Sequence, residues 1–249
     1  MDVEVKGIVK SFGELLVLDH ISFNVRSGEF VAVCGPTGCG KTTLMKIIAG
    51  LLKPDSGEVL LAGEPVDYRR HNIGFVFQEP SYLPWRTVWG NVKFGLEAKV
   101  SSLGWKLTRE EVDKRVKWAI ELVGLEGFES YYPHQISGGM KQKVALAQAL
   151  ATDPHLLLMD EPFGALDIQT RYYMENELLR VWSKLRKTVI FVTHYIEEAV
   201  YLADRVIVLS SLPAKVKAEV DVSLPRPRDV TSSRFVEIRR EITELIRWW

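Results

Sequence analysis

The stretch Gly35, Pro36, Thr37, Gly38, Cys39, Gly40, Lys41, Thr42, followed by Thr43, fits G-x-x-x-x-G-K-[ST] over its first eight residues, a pattern whose parts have separate physical tasks. Its glycines let backbone N–H groups turn inward and approach phosphate oxygens with no Cβ in the way. A helix starting at the lysine aims the positive end of its dipole at the same place. Lys41 can reach β- and γ-phosphates, and the Thr42 hydroxyl can hold Mg²⁺. The flanking residues supply the context the pattern needs. Phe30, Val31, Ala32, Val33 and Cys34 form an apolar run that predicts a buried strand, and Leu44, Ile47, Ile48, Leu51 and Leu52 recur at helical spacing.

A second chemical feature lies downstream. Leu156, Leu157, Leu158 and Met159 predict a buried strand that ends in Asp160 and Glu161. A phosphate-loop enzyme needs a carboxylate near Mg²⁺, and a hydrolase needs a group that positions or deprotonates water. Asp160 fits the first task and Glu161 the second. A third feature is Ser137, Gly138 and Gly139 before another apolar helical pattern, a second helix start able to receive an anion. One nucleotide in one domain would hardly use both helix starts. Two copies facing head to tail would fill both.

The elements that must carry these residues can be read around them. At 249 residues the chain can bury one large core with an inserted section. Strands are expected near residues 3–9, 21–25, 58–62, 73–77, 156–159, 189–192 and 205–209, with a loop holding Phe12 and Gly13. From 80 to 89 the texture turns to proline and aromatics, and from there to about 151 it is helical. Thr108 with Glu111 predicts a capping box, and Val112, Val116, Ala119, Ile120 and Val123 form the apolar face that follows. Later strands alternate with helices near 167–184 and 196–202, which argues for a mainly parallel sheet covered on both faces. The stripe Phe235, Ile238, Ile242, Leu245, Ile246 and Trp249 predicts a terminal helix packed on the protein's own core.

Composition narrows the function. Lys plus Arg and Asp plus Glu each total 32, so no bulk charge draws the chain to nucleic acid, though a local basic patch is compatible with that balance. Cys34 and Cys39 match neither a zinc site nor a redox pair, and both read as reduced cysteines. The charged, alternating start from Met1 to Val5 is unlike a signal peptide, and no apolar run approaches the roughly 18 residues of a membrane span.

The phosphate loop, Gln78, Ile136 to Met140, Asp160 with Glu161, Ala165-Leu166-Asp167 and His194 occur in an order and at spacings that resemble the ATP-binding subunit of an ABC transporter, over nearly the whole chain. The resemblance implies an α/β fold: a P-loop NTPase core with a mainly parallel sheet, an N-terminal antiparallel β subdomain and an inserted helical subdomain. It divides the chain into a nucleotide-binding core at about 1–85 and 152–211, a helical subdomain at 86–151 with the signature motif, and a tail at 212–249 with a terminal helix. It implies ATP and Mg²⁺, with Thr42, Gln78 and Asp160 at the metal. Phe12 would stack on adenine, Glu161 act as catalytic base, and His194 contact the γ-phosphate, with Lys41 and Gln78 also catalytic. Ser137, Gly138 and Gly139 would meet ATP bound to the opposite subunit, and Asp167 would lie across the dimer interface. Lys143 and Gln148 stand where many relatives have arginine; Gln148 cannot form the same ion pairs.

A finer similarity joins Leu83 to Val88, Glu197 to Arg205 and Leu224 to Asp229 to the nitrate, sulfonate and taurine importer branch. That branch implies permease subunits docked near Pro80 and Trp89, a second ATPase subunit (the same chain or a close paralogue) and, indirectly, a periplasmic or extracellular solute-binding protein. It implies no nucleic acid, and a location at the cytoplasmic face of the membrane through the permease. The rival expectation is a soluble ABC-type ATPase that remodels nucleic acid or an assembly scaffold. Translation-type members usually carry a second cassette and repair-type members a long coiled coil, neither of which the sequence shows; a scaffold-assembly role is not excluded by architecture, but the importer-like segments disfavour it.

Overall fold

The computed structural model describes residues 1–79, 81–164 and 166–246, the side chains of 102 and 103 aside. Pro80, Ala165 and Trp249, each part of an expectation above, lie outside the described residues. The chain divides into two compact units, Met1–Tyr68 with Lys187–Trp249, and Arg69–Arg186. The helical section expected at 86–151 falls within the second.

The first unit contains two sheets. Strands β1 (Val3–Phe12), β2 (Leu15–Val25), β4 (Ser56–Leu61) and β5 (Glu64–Pro65) pair antiparallel in the order β2-β1-β4-β5. Around β3 (Phe30–Cys34), β8 (Thr188–Thr193) and β9 (Arg205–Leu209) pair in parallel, and β10 (Val216–Asp221) closes on β9 antiparallel. Every residue of β3 and β8 is buried, as expected of parallel strands covered on both faces. Helices α1 (Lys41–Ile48), α6 (Ile196–Leu202) and α7 (Ser233–Ile246) complete the unit. Phe30 and Phe191 pack at 6.1 Å between ring centroids, each side chain worth about 1.5–3 kcal/mol of burial. The terminal stripe is inward as expected, with Phe235, Ile238 and Ile242 buried.

In the second unit β6 (Ile73–Val76) runs parallel to β7 (Leu156–Asp160). Between them in sequence come α2 (Val88–Leu103), α3 (Arg109–Leu122), a short 3-10 turn at Pro133–Gln135 and α4 (Gly138–Ala151), and after them α5 (Ile168–Leu185). The capping box holds: Thr108 Oγ1 accepts from Glu111 N at 3.2 Å, and Glu111 Oε2 accepts from Thr108 N at 2.7 Å.

Two expectations need correction. Phe12 is not in a loop but is the last residue of β1, because the strand pairs on through Phe12 opposite Leu15 and the reversal is confined to Gly13 and Glu14. Strand β10 lies in a stretch read as tail. Its alternation of Val216, Ala218 and Val220 with charged residues is a strand signal that the surrounding prolines obscure.

Candidate functional site

In the first unit the phosphate-loop pattern forms a strand-turn-helix. Gly40 is the N-cap of α1 at φ 103°, a left-handed conformation that disfavours any side chain, and a Cβ there would stand 2.7 Å from Val17 Cγ1. Because glycine has no side chain to offer, the first turn of α1 has no side-chain cap. Its N–H donors suit phosphate oxygens instead. Lys41 is buried, and its ammonium donates to Gly35 O at 2.9 Å and Pro36 O at 2.8 Å. Those carbonyls hold the charge over the loop. Thr37, Gly38 and Thr42 are exposed, and Pro36 and Thr43 partly so. Cys39 is buried, and burial raises its thiol above the ordinary value; burial pushes Cys34 up to about 12. Both are neutral thiols that pack.

Strand register brings His194 to this loop. Cys34 pairs with Thr193 across the parallel β3 and β8, so Gly35 and His194 leave neighbouring strands at the same edge. His194 is exposed, with its ring 4.0 Å from that of Tyr195. Phe12 is half exposed, with Lys10 Nζ 5.6 Å from the centroid of its ring.

The second unit holds the other candidates. Val76 pairs with Met159, so Gln78 and Glu161 follow paired strands by the same number of residues. Gln78 Nε2 donates to Glu161 Oε2 at 3.4 Å, a long bond joining the expected metal-side amide to the expected base. Asp160 is 4% exposed at the end of β7. Glu161 has φ 44°, a left-handed conformation that costs a non-glycine residue about 1–3 kcal/mol. The sharp turn lets two adjacent carboxylates leave the strand differently, one buried and one partly exposed.

Ser137 caps α4, its Oγ accepting from Met140 N at 3.3 Å. The two glycines behind it differ. A Cβ on Gly139 would come within 2.9 Å of Thr170 Cγ2, so α4 and α5 approach only over a glycine. A Cβ on Gly138 would meet nothing nearer than Leu166 Cδ2 at 3.9 Å, and Gly138 is exposed. Packing among the described residues gives no reason for that glycine. Asp167 caps α5, accepting from Thr170 N at 3.0 Å, and hydrogen bonds from Thr170 hold its carboxyl below the ordinary range. Lys143 is buried, donating to Tyr173 Oη at 3.3 Å over that ring.

Sequence reasoning missed Asn91. Fully buried, it donates through Nδ2 to the carbonyls of Leu83, Arg86 and Thr87 and accepts from Leu83 N at 2.6 Å. It fixes the 83–87 segment while Trp85 stays 71% exposed. The asparagine at the start of a helix was the only sequence signal, and it does not reveal which carbonyls are in reach.

Comparison with known proteins places this arrangement. A family model described as ABC transporter matches residues 18–164. An uncharacterized ABC transporter ATP-binding protein of Methanocaldococcus jannaschii is 49% identical over 98% of this chain and 91% of its own length. The aliphatic sulfonates import ATP-binding protein SsuB of Bacillus cereus is 43% identical over 98% of this chain and 95% of its own. Among solved structures, a dimeric ATP-binding cassette in a post-hydrolysis state bound to ADP and Pi superposes with a TM-score of 0.76 at 33% identity, covering 90% of this chain and 100% of that one. Clostridium perfringens cbiO1, part of the transporter complex cbiONQ, gives 0.78 at 29% identity over 97% of this chain and 94% of its own. With its uncapped phosphate-loop helix, its paired carboxylates and these relatives, the chain belongs to the ABC transporter family, as one of its ATP-hydrolysing cassettes with a P-loop NTPase fold.

Proposed function

We propose that this cassette powers an importer of a small solute of the nitrate, sulfonate or taurine class, and that it works as an ATP-dependent pair. The importer branch rests on the 43% identity to an aliphatic sulfonates import subunit over 98% of the chain. The pairing rests on Gly138, exposed at a helix start where no neighbour among the described residues requires a glycine. The phosphate loop of one copy and the Ser137 helix start of the other would then close on the same ATP, and hydrolysis would release them.

Each side chain has a task in this reading. Lys41 exchanges two backbone carbonyls for phosphate oxygens, and the first N–H groups of α1 donate to the same group. Thr42, Gln78 and Asp160 would hold Mg²⁺, which shares such sites with substrate phosphates and neutralises their charge. Glu161 orients and deprotonates the attacking water, and Gln78 steadies its carboxylate. His194, leaving the strand next to the loop, contacts the γ-phosphate. Phe12 offers a half-exposed ring to the base.

Among the described residues no helix is long and apolar enough to cross a membrane, so membrane attachment would come through permease subunits. The 83–87 segment, held by Asn91 and presenting Trp85, is the surface proposed for them. Position at the cytoplasmic face follows from that docking.

The test is Glu161→Gln. ATP affinity is expected to stay within a few-fold while turnover falls about 100-fold or more, as loss of a general base does. ATP should then convert the variant to a stable dimer in size-exclusion chromatography. Hydrolysis at the wild-type rate would overturn the assignment.

A further inference from the structure

A ring offered to a nucleotide base must be held in direction as well as in place, and the strand that ends in Phe12 does not do this by itself. The register between β1 and β2 shifts between Ile8 and Lys10 and again between Lys10 and Ser11. Such shifts interrupt the pleat that dictates where side chains point, here just before the ring. On its other edge β1 pairs with β4 only as far as Val9 opposite Ser56 among the described residues. Lys10, Ser11 and Phe12 run on beside β2.

Asp55 takes over that edge. Its backbone N–H donates to Val9 O at 2.9 Å, its Oδ2 accepts from Ser11 N at 2.6 Å, and its Oδ1 accepts from Lys10 Nζ at 2.7 Å. One residue thus holds three successive residues of β1. The ammonium it pins stands 5.6 Å from the centre of the Phe12 ring, within reach of the attraction between a cation and an aromatic face. Asp55 is itself fixed in place. Pro54 precedes it with a restricted φ, and Gly57, at φ 82°, lies so close to β1 that a Cβ would stand 2.4 Å from Lys6 O. Hydrogen bonds from Lys10 and then Ser11 hold the Asp55 carboxyl below its ordinary value, so it is ionised at neutral pH. On the opposite side the same stretch is registered against the phosphate loop: Leu18 pairs with Lys10, and Gly40 packs on Val17 and Leu18.

We infer that Asp55 is a positioning residue for the nucleotide base, acting through Lys10 and Ser11 to hold one face of the Phe12 ring against the lysine and present the other to adenine. This rests on the reading of Phe12 as the ring that stacks on the base. Asp55 touches neither base nor phosphate in this arrangement. Its effect passes through the direction of the ring, so it disappears when the ring is removed.

The experiment is titration calorimetry of the full chain with ADP and Mg²⁺, which is independent of hydrolysis, on a cycle of wild type, Phe12→Ala, Asp55→Ala and the double variant. Phe12→Ala should weaken ADP binding about tenfold or more, the scale of one lost stack between a base and an aromatic ring. Asp55→Ala should weaken it about three- to tenfold where Phe12 is present and by less than about twofold where it is not. In steady-state hydrolysis Asp55→Ala should raise the KM for ATP and leave kcat within about twofold, because the base takes no part in the chemical step. If Asp55→Ala does not fold, Asp55→Asn takes its place with the same expectations: it removes the charge that pins Lys10 and keeps an acceptor for Ser11 N. ADP binding unchanged in Phe12→Ala would overturn the reading of the ring, and the role of Asp55 with it. If Phe12→Ala weakens binding, the ring stands, and the inference alone is overturned by any of three results: Asp55→Ala binds ADP like wild type, it weakens binding equally with and without the ring, or it lowers kcat with KM unchanged.

Discussion

At Gly40 one residue meets two demands: a left-handed backbone at φ 103° and a face packed against Val17 and Leu18. Glycine meets both and leaves the helix start open for phosphate. Gly40→Ala is expected to lower stability by about 1–3 kcal/mol in urea unfolding. It should also weaken ATP binding, because relieving the 2.7 Å contact with Val17 must shift the loop. The glycine pattern was legible in the sequence because local geometry alone requires it. Phe12 was only partly legible: its aromatic character could be read, but its place at the end of β1 depends on pairing with Leu15, a hairpin register set by where Gly13 turns. Gly138 shows the reverse case, a glycine that packing among the described residues does not require.

Elements depend on contacts that sequence reveals unequally. The box opening α3 could be read because Thr108 and Glu111 are three apart, and it yields a pH prediction. Hydrogen bonds from Thr108 hold the Glu111 carboxyl below its ordinary 4.5. A depressed folded pKa means that the stabilisation is present above the unfolded value and is lost as pH falls through the folded one. The stability difference between wild type and Glu111→Ala should therefore be constant near neutrality and narrow below about pH 4.5 in thermal melts. Arg228 is the contrasting case. Its segment could be matched to relatives as a pattern, but its work is tertiary: the buried guanidinium donates to the carbonyls of Val200, Tyr201, Ala203, Val222 and Leu224, closing the end of α6 onto the tail. Burial lowers its pKa to about 10, which keeps it charged at neutral pH. Arg228→Ala is expected to cost about 3 kcal/mol by leaving those carbonyls unpaired, and Arg228→Lys to recover less than half, since an ammonium cannot reproduce the fork. Chemical denaturation of both variants checks this.

At the scale of the whole molecule, the pairing proposed for this cassette makes each active site the property of two chains. The family was legible from motif order alone, because phosphate chemistry fixes residue types at fixed spacings. Which copy supplies which half was not, since a linear sequence does not separate contacts within a chain from contacts between chains. Mixing two inactive chains separates them. Lys41→Ala should abolish function at the site that uses its loop, and Ser137→Glu should do so at the site that its helix start completes, by placing an acid against the phosphates. Alone, each variant makes a dimer in which both sites carry a lesion. In a mixed dimer both lesions fall on one composite site and the other is fully native. If one native site hydrolyses independently, an equal mixture should recover about a quarter of wild-type ATPase activity, since half the pairs are mixed and each has one intact site of two. Recovery should follow mixing and saturate near equal proportions. A mixture as inactive as its parts would show that loop and helix start serve one chain, or that one native site cannot turn over alone. Mixing wild type with an excess of Lys41→Ala decides between these, because under either arrangement a mixed dimer keeps one native site: activity per wild-type chain holds if single sites can fire and falls towards zero if they cannot.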